Sequence, residues 1–283
     1  MGRPTYPLGV NPTDVFVKRE SPTNPGATAY EAAGLRWLEK SGAPTVKILH
    51  EGRDYLELER IRSVQPTSDT AQRLGQELAW MHASGAPGYG AAPGTYDGPS
   101  WMGRAPLSLI PTRQFNPEEK PEKGHSWGNF YASMRLRPYI TDVFSPSQKQ
   151  AINEVCELLE SGALDHREPD LVCERHQPAS RIHGDLWSGN VMWSKNGAVL
   201  IDPAAQGGHA EEDLAALALF GAPNLGSILE GYQSVSPLAP GWQGRVGLHQ
   251  LHILIVHCYL FGRSYVPDFM GRVHEILGAN DTR

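Results

Sequence analysis

The sequence has few cysteines, no excess of basic residues and no long apolar run, and each shortage excludes a class of protein. The three cysteines, Cys156, Cys173 and Cys258, are an odd and scattered set without C-x-x-C spacing. A disulfide framework or a structural zinc site is therefore not expected, and a reducing cytoplasm is the expected compartment.

Charge and hydropathy exclude two kinds of partner. Lys and Arg number 25 against 31 Asp and Glu, a formal net charge of −6 without a basic block, so a nucleic-acid partner is not expected. The longest apolar run, around 253–256, is interrupted by His252 and His257, and Met1–Pro4 lacks the apolar region of a signal peptide. We expect no signal peptide, membrane span or membrane partner.

Several catalytic motifs are also missing. The sequence contains no G-x-S-x-G, H-E-x-x-H or G-x-G-x-x-G pattern, so hydrolase, zinc-protease and dinucleotide-binding functions have no motif support. What is present is an ordinary globular composition: 283 residues, of which 40% are hydrophobic and 20% charged. A chain of this kind is long enough for one two-lobed domain or two closely packed ones.

The first sixty residues predict a strand–helix–strand–strand unit. Asp14–Arg19 is β-prone, and apolar residues recur at helical spacing from about Ala27 to Lys40. Val46–Leu49 and Tyr55–Glu59 then predict a pair of strands around a turn.

Beyond this unit the sequence is mostly helical. Helices are predicted over 67–83 and 127–136, from Ser145-Pro146 onward, over 210–220, 223–234 and about 244–263, and from about Pro267. Residues 84–125 are a long Gly- and Pro-rich stretch with a charged patch at Glu118–Lys123. We interpret this stretch as a lid or binding excursion, with a floppy insertion as the alternative.

The most informative stretch is His183-Gly184-Asp185-Leu186-Trp187-Ser188-Gly189-Asn190, followed twelve residues after Asn190 by Asp202. Between Asn190 and Asp202, apolar runs at 191–193 and 198–201 predict the two strands of a hairpin. This spacing suits metal-assisted phosphoryl transfer. One carboxylate orients the attacking hydroxyl and takes its proton, while an amide oxygen and a second carboxylate hold magnesium on the phosphates.

Taken singly, these residues have simpler explanations. A loop Asp or Asn is most often a turn former, and a strand lysine such as Lys18 is most often a solvated edge charge. Glu31, on the following helix, would nevertheless hold Lys18 in place for phosphate binding, as in kinase sites. The combination therefore favours a phosphoryl-transfer site.

Eight stretches carry a resemblance to a known family. They are His183–Asn190, Ile201-Asp202-Pro203-Ala204, Gly208–Leu214, Phe16-Val17-Lys18, Glu31–Leu35, Leu58–Ile61, Trp127–Tyr131 with Arg135-Leu136, and Leu251–Leu254 with Phe261-Gly262 and Tyr265. Over nearly the whole chain the sequence resembles the fructosamine kinase family, which belongs to the aminoglycoside-phosphotransferase-like branch of the protein-kinase-like fold. Leu-Trp-Ser-Gly between Asp and Asn, and Asp-Pro-Ala where most kinases have Asp-Phe-Gly, distinguish this family from other small-molecule kinases.

The resemblance implies a fold and an activity. The fold is α+β and bilobal, protein-kinase-like, with a small mixed β/α N-lobe at 1–61, a hinge at about 58–61, and a larger, mostly helical C-lobe at 62–283. The activity is that of an ATP-dependent kinase, using ATP and Mg²⁺, that phosphorylates the sugar 3-position of a fructosamine or ribulosamine. The ketoamine substrate is small or protein-bound, its phosphorylation leads to deglycation, and a monomer is expected.

The resemblance also implies roles for individual residues. In the catalytic loop, Asp185 is the catalytic base, and Asp213 braces the loop. Asn190 and Asp202 are the magnesium ligands. For ATP, Lys18 with Glu31 anchors phosphate, and the backbone of Glu59 and Ile61 binds adenine. Trp187 is either a platform on which the sugar stacks or a core tryptophan.

Two positions depart from the family pattern. Seventeen residues precede Lys18, and Pro7–Asn11 does not match the Gly-rich turn that covers the ATP phosphates in the family. Weak ATP binding, an incomplete N-terminus and cover from elsewhere are the alternatives. Ala210 stands where the family tends to have Arg, a change that would alter the substrate pocket.

Two other functions stay open. The first is another small-molecule kinase of the same fold, acting on an aminoglycoside, a choline-like alcohol or another sugar, which the Leu-Trp-Ser-Gly segment opposes. The second is a weakly active nucleotide-binding pseudokinase. The N-terminus favours it, and the presence of Lys18, Asp185, Asn190 and Asp202 opposes it.

A group of histidines near the C-terminus raises the question of a second metal site. His249, His252 and His257 lie with Cys258 on one predicted helix. His257 is too far along that helix to join the other two in a simple site, so surface or core histidines are expected.

Overall fold

The chain folds into a small sheet-containing unit followed by a mostly helical one. The computed structural model describes residues 12–115 and 126–281, so Pro7–Asn11 and Glu118–Lys123 lie outside the described residues. The strands are β1 (Val15–Arg19), β2 (Ile48–Glu51), β3 (Tyr55–Glu59), β4 (Trp101–Met102), β5 (Ala105–Pro106), β6 (Ser180–Ile182), β7 (Val191–Ser194), β8 (Gly197–Leu200) and β9 (Gln206–Gly208). The α-helices are α1 (Ala27–Glu39), α2 (Ser68–Ala83), α3 (Trp127–Phe130), α4 (Pro146–Glu160), α5 (Asp170–Glu174), α6 (Ala210–Leu219), α7 (Leu225–Val235), α8 (Trp242–His249), α9 (Leu251–Phe261) and α10 (Val266–Asp281).

Short helical turns of other kinds complete the chain. They are 3₁₀ turns at Pro12–Asp14, Thr112–Gln114, Arg137–Tyr139, Ser188–Asn190 and Gly262–Tyr265, and a π-helical segment at Tyr131–Leu136.

The N-terminal unit is the predicted strand–helix–strand–strand arrangement. Its three strands form an antiparallel sheet in the order β1-β3-β2, with Lys18 opposite Leu56. Helix α1 covers the sheet, because Leu35 packs with Leu56 and Leu58 in one buried cluster. Residues 60–67 then lead from β3 to α2. The division of the lobes at about 58–61 stays a prediction.

Helices α2 and α7 cross at very short range in the C-terminal unit. A Cβ added to Gly75 would lie 1.9 Å from the carbonyl oxygen of Ile228, and one added to Gly231 would lie 1.9 Å from that of Gln72. Only glycine allows backbones to approach this closely. Helix α2 begins one residue after its predicted start, because Thr67 is its N-cap.

The helix predicted over 244–263 is two helices, α8 and α9, and the side chain of Tyr131 accounts for the break. The Tyr131 hydroxyl lies 3.2 Å from the carbonyl oxygens of Leu248 and His249 and accepts the N–H of His252 at 2.9 Å. A side chain inserted between carbonyls and a later N–H interrupts the i→i−4 ladder. Tyr131 lies in the packed core that α3, α4, α9 and α10 share.

The Gly- and Pro-rich stretch after α2 is anchored to the core as far as Phe115. Ala91 is fully buried, Ala86 forms a bridge with Ala179, and the Gly90 N–H donates to the carbonyl of Gly207 at 2.7 Å. Residues 84–115 are therefore not a floppy insertion, and a lid or binding role for the stretch stays a prediction. In the two described ranges, no helix is both long and apolar enough to cross a bilayer.

Candidate active site

The catalytic loop, residues 183–190, is held between two pairs of short strands. β6 ends directly before the loop and pairs with β9, while β7 begins directly after it and pairs with β8 in the predicted hairpin. The chain returns beside the loop after β8, where the N–H of Ile201 donates to the carbonyl of Asn190 at 3.0 Å. This return places Asp202 next to the loop.

The loop turns at a position that only glycine can occupy. Gly184 has φ of +81°, and a Cβ there would lie 2.2 Å from the carbonyl oxygen of Ala204. Asp202 also adopts a left-handed conformation, with φ of +54°, which aspartate tolerates better than most residues.

Asp213 braces the loop from helix α6. Its two carboxylate oxygens accept the N–H of His183 at 2.7 Å and that of Gly184 at 2.9 Å. Burial raises the pKa of Asp213, but the hydrogen bond from His82 and the nearby His183 outweigh burial and hold the pKa below its usual value. Asp213 therefore remains ionised and fixes the start of the loop, as expected for this residue.

His82 is a positioning residue that the sequence did not reveal. It is fully buried, its Nε2 lies 3.2 Å from Asp213, and its Nδ1 lies 2.9 Å from the Tyr232 hydroxyl. In the sequence, His82 differs from its surroundings only as a polar residue among the apolar positions of α2, which lie at helical spacing.

Asp185 is the carboxylate at the centre of the loop. The side-chain amide of Asn190 donates to its carbonyl at 2.8 Å and to its Oδ2 at 3.1 Å. Burial among protein atoms raises the pKa of Asp185 to about 7, and the Asn190 hydrogen bond only partly offsets this. A carboxyl that titrates near neutral pH can exchange a proton with a bound hydroxyl.

Lys18 joins the N-terminal unit to the loop. Its ammonium lies 2.6 Å from Glu31 and 2.7 Å from Asp202. Burial lowers the pKa of Lys18, but the two carboxylates together outweigh burial and raise it. Burial raises the pKa of Glu31 to about 7 despite the opposing effect of Lys18. The structure thus brings Lys18 and Glu31 into one charged site with Asp185 and Asp202, which lie more than 150 residues later in the sequence.

Trp187 is exposed beside this site. Its side chain is 37% exposed, so it is not a core tryptophan. The ring packs over Gly189, where a Cβ would lie 2.1 Å from it, and meets Phe220 edge-on at a centroid distance of 5.8 Å. One indole face is therefore supported by protein, and the part of the side chain that remains exposed faces solvent.

The two residues expected to bind adenine lie where the N-terminal unit ends. Glu59 is the last residue of β3, and Ile61 is in the linker that follows. The N–H of Glu59 donates to Lys47 and that of Arg60 donates to Asp14. The adenine role of Glu59 and Ile61 stays a prediction.

Two other stretches of the resemblance lie inside the C-terminal unit. Arg135 is fully buried and donates to Gln206 at 2.9 Å and to the Ser108 carbonyl at 3.0 Å, so it ties the π-helical segment to β9. Ala210 is also fully buried, as the first residue of α6. Its N–H donates to Glu168 at 3.1 Å.

The fold and this geometry together define a protein-kinase-like phosphotransferase. A choline kinase, LicA of Streptococcus pneumoniae, shares the fold with a TM-score of 0.57 at 17% identity, over 93% of this chain and 86% of that one. The sequence model of the fructosamine kinase family matches residues 4–279, and the chain belongs to this family. It is an ATP-dependent phosphotransferase that acts on a hydroxyl group.

Relatives within the family cover most or part of the chain. A probable ketoamine kinase of Escherichia coli K12, YniA, is 31% identical over 94% of this chain and 86% of its own length. The ketosamine-3-kinase of Mus musculus is 35% identical over 50% of this chain and 43% of its own. A Thermobifida fusca crystal structure of a protein named a fructosamine-3-kinase superimposes with a TM-score of 0.79 at 36% identity, covering 93% of this chain and 85% of that one.

Proposed function

We propose that the chain transfers the γ-phosphoryl group of ATP to the sugar 3-hydroxyl of a fructosamine- or ribulosamine-type ketoamine. The observation that carries this proposal is the Asp185 carboxylate, held by the Asn190 amide at 3.1 Å, two residues before the 37% exposed Trp187. An indole face suits a sugar ring and the cationic amine attached to it. The names of the mouse and E. coli relatives support the ketoamine as substrate.

Asp185 acts as the base in this mechanism. The substrate hydroxyl oxygen attacks the γ-phosphorus, the bond from that phosphorus to the bridging oxygen of ADP breaks, and Asp185 accepts the hydroxyl proton. The Asn190 amide, 3.1 Å from Oδ2, holds the carboxylate in position. Asp213 keeps the loop itself fixed through the backbone of His183 and Gly184.

Lys18 and Glu31 serve the phosphates of ATP. Lys18 is the cation of the site, and a lysine ammonium offers a compact charge with three donors to phosphate oxygens. Glu31, buried behind it at 2.6 Å, holds the ammonium in place. The backbone of Glu59 and Ile61 takes the adenine ring at the end of β3.

Asn190 and Asp202 fit a magnesium ion. The amide nitrogen of Asn190 is committed to Asp185, which leaves its side-chain oxygen for another partner. The Asp202 side chain is 47% exposed, and amide and carboxylate oxygens are the ligands that magnesium prefers. When bound, magnesium would neutralise charge on the β- and γ-phosphates.

Phosphorylation of the sugar destabilises the adduct and releases the amine, so the reaction amounts to deglycation. The three cysteines are free thiols, two of them buried, which supports a reducing cytoplasm as the site of action. We further propose that the chain acts as a monomer and without nucleic acid, in keeping with its net charge of −6.

A substrate panel tests the proposal. Purified protein is incubated with ATP and magnesium and, separately, with a fructosamine, a ribulosamine, choline or an aminoglycoside, and products are analysed by mass spectrometry. We expect ADP and a phosphorylated ketoamine, with phosphate on the sugar 3-oxygen by NMR. Phosphorylation of choline or an aminoglycoside alone would contradict the substrate, and absence of an ATP-induced thermal shift at millimolar ATP would support a pseudokinase.

The role of Trp187 is tested with two substitutions. Trp187→Ala should raise the KM for the ketoamine about tenfold, because the contact of an indole with a cationic sugar amine contributes up to ~2 kcal/mol. Trp187→Phe keeps an aromatic face and should recover most of the loss, while the KM for ATP stays the same in both. An equal rise in both KM values would remove Trp187 from the ketoamine site.

A further inference from the structure

A second polar cluster lies apart from the catalytic loop and has no role in the proposed mechanism. It contains His166, His209, Glu211 and His249, and one nitrogen or oxygen from each lies within 4.8 Å of all the others. The side chains are between 0% and 9% exposed. They come from three parts of the chain: the segment between α4 and α5, the start of α6, and the end of α8.

Three of these side chains place one atom each within 3.9 Å of the other two. Nε2 of His166 lies 2.8 Å from Nε2 of His249. Oε2 of Glu211 lies 3.4 Å from the His249 nitrogen and 3.9 Å from the His166 nitrogen. A point equidistant from these three atoms lies roughly 2.0 Å from each, which is the distance that zinc keeps from imidazole nitrogen and carboxylate oxygen.

The protonation of His166 suits a metal ligand. Its Nδ1 lies 2.8 Å from the carbonyl oxygen of Leu164. A carbonyl only accepts, so Nδ1 carries the proton and Nε2 presents a lone pair to the cluster. A histidine ligand commonly donates its other N–H in this way. Burial lowers the pKa of His166 to about 4, so the imidazole is neutral, the form that binds metals.

The contact between the two imidazoles has a consequence for His249. Because Nε2 of His166 has no proton, the 2.8 Å contact requires a proton on Nε2 of His249. A metal bound between them would displace this proton to Nδ1 of His249, an atom that is buried and has no hydrogen-bond partner among the described residues. The cluster thus gains a third nitrogen or oxygen ligand by a tautomeric shift alone.

Neighbouring residues fix the ligand positions. Arg245 donates from Nε to Oε2 of Glu211 at 2.9 Å, and Trp127 packs on the rings of His166 and His249 at centroid distances of 4.8 and 4.7 Å. His209 is less available, because its Nδ1 accepts the N–H of Glu211 and its Nε2 donates to the carbonyl of Arg167.

We propose that His166, His249 and Glu211 bind a divalent transition-metal ion, zinc being the best match to two imidazoles and a carboxylate. The ion would pin the end of α8 and the segment before α5 to the first turn of α6. Asp213, two residues after Glu211, braces the catalytic loop, so the ion would support the same helix that holds the loop. The competing arrangement is a metal-free hydrogen-bonded brace in which Arg245 alone neutralises Glu211.

Metal content of the full-length protein tests the proposal. Protein without a histidine tag is purified, dialysed against a chelator, reloaded with zinc and analysed by inductively coupled plasma mass spectrometry. We expect one zinc per wild-type chain and less than a tenth of that in His166→Gln and in Glu211→Gln. His252→Gln is the matched control, because His252 is a buried histidine three residues after His249 and outside the cluster, and it should retain one zinc. Equal zinc in all variants, or none in the wild type, would overturn the proposal.

Two further measurements cover the case in which a variant does not fold. Cobalt titrated into metal-free wild-type protein should give visible absorption bands with no near-ultraviolet thiolate band, because no cysteine is a ligand. A thiolate band would place the metal on a cysteine and overturn the proposal. Zinc at a hundredfold excess over its dissociation constant should raise the wild-type Tm by about 5 °C. Neither readout depends on phosphoryl transfer, so they remain decisive if the proposed activity is wrong.

Discussion

The first turn of helix α6 separates two polar clusters of opposite character. The catalytic cluster comprises Lys18, Glu31, Asp185, Asn190 and Asp202, and the histidine cluster comprises His166, His209, Glu211 and His249. The first reaches solvent at Lys18 and Asp202, whose side chains are 33% and 47% exposed, although Glu31 and Asn190 are buried. The second is closed, with side chains no more than 9% exposed. An open charged site suits a substrate that enters and leaves, and a closed one suits a permanent occupant or none.

Burial changes protonation in opposite directions in the two clusters. It raises the pKa of Asp185 and that of Glu31 to about 7, and it lowers the pKa of His166 to about 4. The cause is the same, because burial disfavours whichever form is charged. The result differs: the catalytic cluster can exchange a proton near neutral pH, whereas His166 stays neutral.

Helix α6 contacts both clusters through residues two positions apart. Asp213 accepts from the backbone of the catalytic loop, and Glu211 faces His249 and Arg245. A substitution at Asp213 is therefore expected to lower the catalytic rate directly, because Asp213 contacts the catalytic loop.

The base itself should show the largest loss. Asp185→Ala should lower kcat for ketoamine phosphorylation by about 10³-fold, because proton transfer by a positioned base contributes 10²–10⁴-fold. Circular dichroism should be unchanged. Asp142→Ala, which removes an exposed carboxylate paired with Lys149, is the control and should retain full activity. A kcat for Asp185→Ala within tenfold of the wild type would exclude Asp185 as the base.

Substitution of Asp213 should lower kcat less than substitution of Asp185 does, and it should also lower the stability of the fold. Asp213→Asn keeps one oxygen for two backbone N–H groups and His82, so one buried donor loses its partner. The free energy of unfolding should fall by roughly 2–3 kcal/mol in urea titrations, and kcat should fall while the KM for ATP changes little. Asp69→Asn, at an exposed position of α2, serves as control. Loss of stability with kcat unchanged would limit Asp213 to a structural role.

The sequence predicted the catalytic cluster far better than the histidine cluster. Asp185, Asn190 and Asp202 lie within twenty residues, and the contacts of Lys18 with Glu31 and Asp202 unite residues that the kinase pattern already associates. Strand propensity, helical spacing and apolar runs predicted the strand–helix–strand–strand unit and the hairpin between β7 and β8. These features are local in sequence or carried by a motif with a known physical purpose.

What the sequence missed depends on contacts between distant segments. The histidines that meet come from positions 166, 209 and 249, whereas spacing along one predicted helix groups His249 with His252 and His257. The break between α8 and α9 depends on Tyr131, more than a hundred residues earlier. Hydrophobic periodicity cannot predict that a side chain from a distant segment interrupts a helix. Nor can it predict that a single buried histidine, His82, bonds to residues on other helices.

The pH dependence of kcat distinguishes the two clusters by their titration. Only the ionised form of Asp185 can accept a proton, and its pKa is raised to about 7. Activity should therefore fall about tenfold per pH unit below ~7 and level off above it. His166, with a pKa of about 4, should add no step between pH 5.5 and 8.5.

Glu31 also titrates near 7, and the γ-phosphate of ATP ionises in a similar range, so both need separate controls. Glu31→Gln should lower kcat but keep the inflection, because Asp185 still titrates, and the KM for ATP is followed at each pH. Circular dichroism at pH 5.5 excludes unfolding as the cause of the decline. A kcat that is constant from pH 5.5 to 7.5 would show that no group of the catalytic cluster exchanges a proton in the rate-limiting step. Loss of the inflection in Glu31→Gln would instead assign it to the lysine-holding carboxylate, and the base would then titrate outside this range.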